Sequence, residues 1–206
     1  MVTIIRIAFS RPKVCLELDN GNKYWLTKKD LSDSGLTEHM EMSEAEFQKT
    51  IRMYQYPHAL NQAVAMLARR PCSRKEIERK MIYNRYDSDV IELVLYKLEK
   101  EKLIDDSDFC VQWIRFRAGQ KYGPVRIRQE LLQKGIDNKI ISKFLYDQNT
   151  DNYKENLQLL AEKLWNHYSS DNDRYKTRQK VTASLVRKGY SWEQAKKACD
   201  LAEKNK

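Results

Sequence analysis

The sequence predicts a mainly α-helical protein: tandem three-helix modules in an elongated array, preceded by a small N-terminal β-hairpin or sheet. Three observations carry that prediction. First, MIYNRYDSDVIELVL (81–95), LLQKGIDNKIISKFL (131–145) and LVRKGYSWEQAKKAC (185–199) align without gaps. Tyr86, Ile136 and Tyr190 share one column, and Asp87, Asp137 and Ser191 another, so a single unit recurs along the chain. Second, apolar residues from position 59 onward fall at helical spacing between polar turns. Third, residues 1–27 carry β-branched and aromatic residues around an Asn20–Gly21 turn dipeptide.

In chain order, VTIIRIAF, KVCLEL and NKYWLT read as strands. A Ser-x-x-Glu capping box at Ser43 and Glu46 starts a linker helix over 43–56. Residues 1–58 hold eight basic and eight acidic side chains and lie outside the repeats, so 1–56 is expected to be a separable extension. After Pro57 the first module (57–104) takes helices over 59–70, 73–85 and 87–102. The second (105–150) takes 107–120, 124–135 and 137–148, and the third (151–206) takes 153–168, 175–189 and 191–204. Short helices are marginal alone and gain stability by burying their apolar faces against one another. Gly135 and Gly189 close second helices as left-handed caps, and Asp87, Asp137 and Ser191 cap third helices. The third module replaces larger apolar residues with Ala195, Ala198 and Cys199.

The chain of 206 residues carries a formal charge of +9. The excess is concentrated in three windows that occupy the same place in each module, the end of the first helix through the second. Residues 69–86 carry +5, 115–134 carry +5 and 174–188 carry +6, against −7 for everything else. The candidate contact residues are Arg70, Arg74 and Arg79 in the first window, Arg115, Arg117, Lys121, Tyr122, Arg126, Arg128 and Lys134 in the second, and Arg178 and Lys180 in the third. A charge run by itself is usually a solvated face. Three in register are what an anionic partner such as a phosphate backbone could use. Interleaved aromatics such as Trp113 and Tyr86 sit in apolar columns and read as packing, whereas Tyr122 lies in the GQKYGPVR loop.

Catalytic signatures are lacking in the sequence. Asp105, Asp106 and Asp108 sit at one helix start, where capping and the helix dipole explain them better than a metal does. His39, His58 and His167 show no ligand spacing, and no Gly-rich phosphate loop is seen. No cofactor is expected. A helix-turn-helix regulator is disfavoured because the third helices begin acidic or neutral, so base reading would fall to the wrong helix. Four dispersed cysteines, no signal-peptide core and no apolar run of membrane-spanning length point to a reduced, cytoplasmic protein without membrane association.

The run LIDDSDFCVQWIRFRAGQKYGPVRIRQELLQKGI (103–136) resembles the RecX family, regulators of the RecA recombinase. The resemblance is carried by Leu103-Ile104-Asp105-Asp106, Phe109, Trp113, Arg115, Arg117, Tyr122-Gly123-Pro124, Arg126-Ile127, Glu130-Leu131 and Gly135-Ile136. The stretch DLSDSGLTEHMEMSEAEF is similar to the N-terminal extension of longer, Gram-positive-type members. The resemblance implies a non-catalytic monomer that binds the RecA nucleoprotein filament, restrains its ATP hydrolysis and strand exchange, and also binds single- and double-stranded DNA. The alternative is a sequence-nonspecific nucleic-acid-binding repeat protein without a RecA partner.

Overall fold

Strand β1 (Val2–Ser10) alternates buried and exposed residues over its first half, which is what places Val2 and Ile4 under the sheet. It pairs antiparallel with β2 (Lys13–Leu18), which pairs with β3 (Lys23–Leu26). A fourth strand, β4 (Glu41–Met42), joins the free edge of β1, giving the order β3-β2-β1-β4. The sequence carries no strand signal for β4. It forms because the returning chain is held alongside β1 by the Ile4 amide on Met40 O and the His39 amide on Ile4 O. The structure is a computed structural model that describes residues 1–147, 150–169 and 173–205.

Helix α1 (Lys28–Ser34) follows a Thr27–Asp30 capping box and leads by way of β4 to α2 (Glu44–Leu67). Ser43 and Glu46 start α2 as expected. The helix then continues through Pro57 with no break, so the helix expected to begin at residue 59 is the second half of α2. The physical reason is one buried stripe, Phe47, Ile51, Gln55, Ala59 and Ala63, spaced by four and continuous across the proline. Pro57 lies on the opposite, exposed side. A mid-helix proline costs roughly 3 kcal/mol, whereas each large apolar side chain buried along the stripe contributes about 1.5–3 kcal/mol.

The chain divides into two units, Met1–Asp105 and Asp106–Lys206. In the first, Val2, Ile4, Leu16, Leu18 and Leu26 pack on Phe47 and Ile51 of α2. The second half of α2 packs with α3 (Arg74–Tyr83) and α4 (Ser88–Lys100) around Ile77, Met81, Val90, Val94 and Leu98. Helix α2 is thus shared between the N-terminal sheet and the first module. Buried Gln55 donates to Trp25 O and accepts from the Asp87 amide, tying β3 to the start of α4. Lys13 reaches Asn84 O at 2.7 Å and lies 4.0 Å over the Tyr86 ring.

The second unit holds α5 (Asp106–Gly119), α6 (Pro124–Gln133), α7 (Asn138–Asp147), α8 (Thr150–Tyr168), α9 (Arg174–Arg187) and α10 (Trp192–Lys204). Its first core gathers Phe109, Ile114, Ile127, Leu131, Ile141 and Leu145 with Tyr153 from α8. Its second gathers Leu157, Leu160 and Trp165 of α8, Val181 and Leu185 of α9, and Ala195, Ala198 and Cys199 of α10. The small residues of α10 are matched by bulky ones on α8, so the third module is repacked rather than depleted. In each module the second helix ends in the same turn. The Tyr86, Ile136 and Tyr190 amides bond back to Met81, Leu131 and Leu185 carbonyls, after left-handed Arg85, Gly135 and Gly189.

Candidate binding surface

In the second unit the end of α9 meets the start of α6 backbone to backbone. Helix α6 has no side-chain N-cap. Its first N–H groups find carbonyls of the third module instead: Gly123 donates to Lys188 O at 2.9 Å and Val125 to Gly189 O at 3.0 Å. The negative end of one helix dipole thus faces the positive end of another. Only glycine permits this approach. A Cβ on Gly123 would stand 2.3 Å from Gly189 O, and one on Gly189 would stand 2.3 Å from the Arg126 Cβ. Tyr190 Oη donates to Lys121 O at 3.4 Å, and Asn156 donates to Ala118 O at 3.4 Å.

Around this contact the second and third basic windows merge. Tyr122 is surrounded by three cations: Arg117 at 3.9 Å, Lys188 at 4.3 Å and Arg126 at 4.4 Å from the ring centre. Glu130 holds the two arginines in place. It accepts from Arg117, from Arg126 at 3.1 Å and from the Trp113 indole at 3.2 Å. Burial pushes the Glu130 carboxyl up, but the hydrogen bonds and charge of its donors outweigh that and hold it below the ordinary carboxylate value. The hydrogen bond to Glu130 raises Arg117 in turn. Arg126 also donates to Arg187 O at 3.3 Å. The cluster therefore sets Arg117, Lys121, Arg126, Arg187 and Lys188 against one carboxylate, in a rigid frame with an aromatic centre.

The other candidates fall into two groups. Some are engaged within their own module. Arg74 pairs with Glu92 and Glu99, Arg70 with Glu76, and Arg178 with Asp200 and Glu203. Lys134 lies 4.2 Å over Trp113 and Lys180 5.9 Å over Tyr168. Arg115 on α5 and Arg79 on α3 are exposed, and half-buried Arg128 donates to the Asn138 side chain. Trp113 and Tyr86 do pack against their module cores.

Sequence reading passed over Arg187 and Lys188 as individual candidates, and over Trp192, which is 62% exposed with Lys196 5.2 Å from its ring. The first two sat inside a basic window. What singles them out is their position against α6, which no local signal reports. Trp192 had the signal of a tryptophan beside a helix cap. Among the described residues no group of three His, Cys, Asp or Glu side chains is placed to hold a metal, and no helix is long and apolar enough to cross a membrane.

Residues 59–98, 105–145 and 151–199 match the first, second and third three-helix domains of RecX. A regulatory protein RecX from Clostridium acetobutylicum is 28% identical over 196 residues, covering 92% of this chain and 91% of that one. The regulatory protein RecX of Haemophilus ducreyi is 30% identical over 148 residues, covering 72% of this chain and 95% of the relative. Among solved structures, a regulatory protein RecX superposes with a TM-score of 0.65 over 97% of this chain and all of the other, at 24% identity. RecX from Lactobacillus salivarius gives 0.64 over 72% and 96% at 28% identity. With three successive module matches and relatives aligned over most of their length, the chain belongs to the RecX family.

Proposed function

We propose that this protein restrains RecA by occupying the groove of its nucleoprotein filament, with accessory, sequence-nonselective DNA binding through the basic windows. The observation that supports this reading is the cationic cluster around Tyr122, built where two family modules meet and far richer in cations than in acids. Inhibition by occupancy needs no catalytic group. Several modules on one chain, each binding weakly, add through effective concentration. The DNA contribution is electrostatic, because the basic residues lie on the ends of first helices, on loops and on second helices rather than on a recognition helix.

The test is a titration of the chain into RecA on single-stranded DNA, following ATP hydrolysis. Hydrolysis is expected to fall, and less so for an Arg115→Ala/Arg128→Ala variant, whose side chains are not part of the Glu130 frame. Substituting Arg126 would disturb the module junction as well as any partner contact. DNA affinity alone is expected to drop with salt at a slope of about −0.7 per neutralised phosphate on single strands. DNA binding with hydrolysis unchanged in DNA excess would leave a general nucleic-acid-binding protein.

A further inference from the structure

In the first unit, α2 and α4 each carry a second face turned largely away from the core, with Tyr56 at its boundary packing partly against it. On α2 it runs through Lys49, Arg52, Met53, Tyr56 and Pro57; on α4 it runs through Leu93, Tyr96, Lys97 and Lys100 to the C-cap Glu101. Both sets have the spacing i, i+3, i+4, i+7, i+8, so each is one continuous strip of helix surface. Side by side they wall an open groove of ≈ 790 Å³. Its floor is apolar and exposed: Met53 is 60% accessible, Tyr96 63% and Leu93 39%. Large apolar side chains gathered on a surface in this way mark contact with another molecule.

The rim sets the chemistry of the occupant. Four cations stand around the floor; Lys97 is bound to the groove's acid Glu101 at 2.8 Å and Arg52 lies 3.9 Å from Asp89, so Lys49 and Lys100 give the rim its positive character. An apolar floor with a cationic rim is complementary to a segment with apolar anchors and acidic flanks. The span from Lys49 to Pro57 is about 12 Å at helical rise, which fits a little over two turns of a third helix laid between the first two.

The geometry points to this groove as a docking site for an acidic amphipathic helix of a partner protein. This site is independent of the cationic cluster around Tyr122. The probe is a fluorescein-labelled peptide of about fourteen residues with leucines at i, i+4 and i+7 and glutamates flanking them. Polarisation against the full chain is expected to show saturable binding. The same peptide with lysine for glutamate is expected to bind at least about tenfold more weakly, and Met53→Ala/Tyr96→Ala is expected to lose at least about tenfold. Lys49→Glu/Lys100→Glu should reverse the preference between the two peptides. Circular dichroism of each variant confirms that these surface changes leave the helices intact. Equal binding of the two peptides, or binding indifferent to the variants, overturns the proposal. So does displacement of the peptide by a single-stranded oligonucleotide, or a dimer in sedimentation velocity that the same variants dissolve.

Discussion

Each of the two units contains a junction, and the two junctions are made in different ways. The N-terminal sheet joins the first module through a covalent, continuous element: α2 packs on the sheet with its first half and on α3 and α4 with its second. The second and third modules share α8, whose Tyr153 enters the second module's core, but their closest approach is a contact, with two glycines letting the end of α9 cap the start of α6. The first kind of junction tolerates even a proline, because a five-residue stripe spreads the burial over many turns. The second adds to its shared burial a close approach that depends on two backbone positions. A junction built on burial is robust to most single changes, while one built on close approach fails with the loss of a single hydrogen atom's worth of space.

The largest expected effect is therefore at Gly189. Gly189→Ala adds a Cβ against Arg126 at a residue whose φ is +94°. It should lower the stability of the second unit by about 3 kcal/mol and its midpoint by on the order of 10 °C. Faster hydrogen exchange at the Gly123 and Val125 amides would locate the damage; an unchanged midpoint would mean that the junction yields without cost. In the first unit, Gln55→Ala leaves the Asp87 amide and the Trp25 carbonyl unserved at a site only 2% accessible. A loss of about 2 kcal/mol is expected, with the sheet and first module losing cooperativity in calorimetry. If Gln55→Ala matched Gly189→Ala in size, the contrast between the junctions would disappear.

Glu130→Gln comes next, at about 1–2 kcal/mol, because Arg117 is left without its anion at a partly buried site. The effect carries a pH signature. The Glu130 carboxyl lies below its usual 4.5 in the folded chain, so its stabilisation is complete above that value and is lost as pH falls through the lower, folded one. The gap between wild type and variant in urea unfolding should be constant near neutrality and close on acidification below 4.5. The smallest effect is expected for Arg85→Gly, in the column of Gly135 and Gly189. It relieves a left-handed arginine at φ +63° but removes the guanidinium 5.0 Å from the Trp25 ring. It also frees the unfolded chain, and the sum should stay within about 0.5 kcal/mol.

Much of the helical architecture is written locally. Ser43, Ser73, Asp87 and Ser191 cap the helices they precede, and Gly135 and Gly189 take the left-handed positions at which second helices end. Capping and periodicity involve residues three or four apart, so they can be read from the chain. Pro57 shows where local reading misleads, since it is a strong breaker overruled by burial on the far side of its helix. The two-residue strand β4 is the opposite case, having no propensity of its own and taking its pairing from β1. For the candidate surface, the positions of the charges were legible but their employment was not. Arg74, Arg117 and Arg178 look alike in sequence, yet each is held by carboxylates on a different helix.

By itself the sequence determined the helices, their caps, the threefold repetition and the place of the basic residues, because each depends on neighbours within one or two turns. Tertiary structure alone decided that Gly123 and Gly189, distant in sequence, would touch and join two modules. It also decided that Glu130 would gather Arg117, Arg126 and Trp113, and that the outer faces of α2 and α4 would line one groove. These depend on side chains and carbonyls brought together only when separate helices bury their apolar faces, and on angstrom-scale approach that no local pattern encodes.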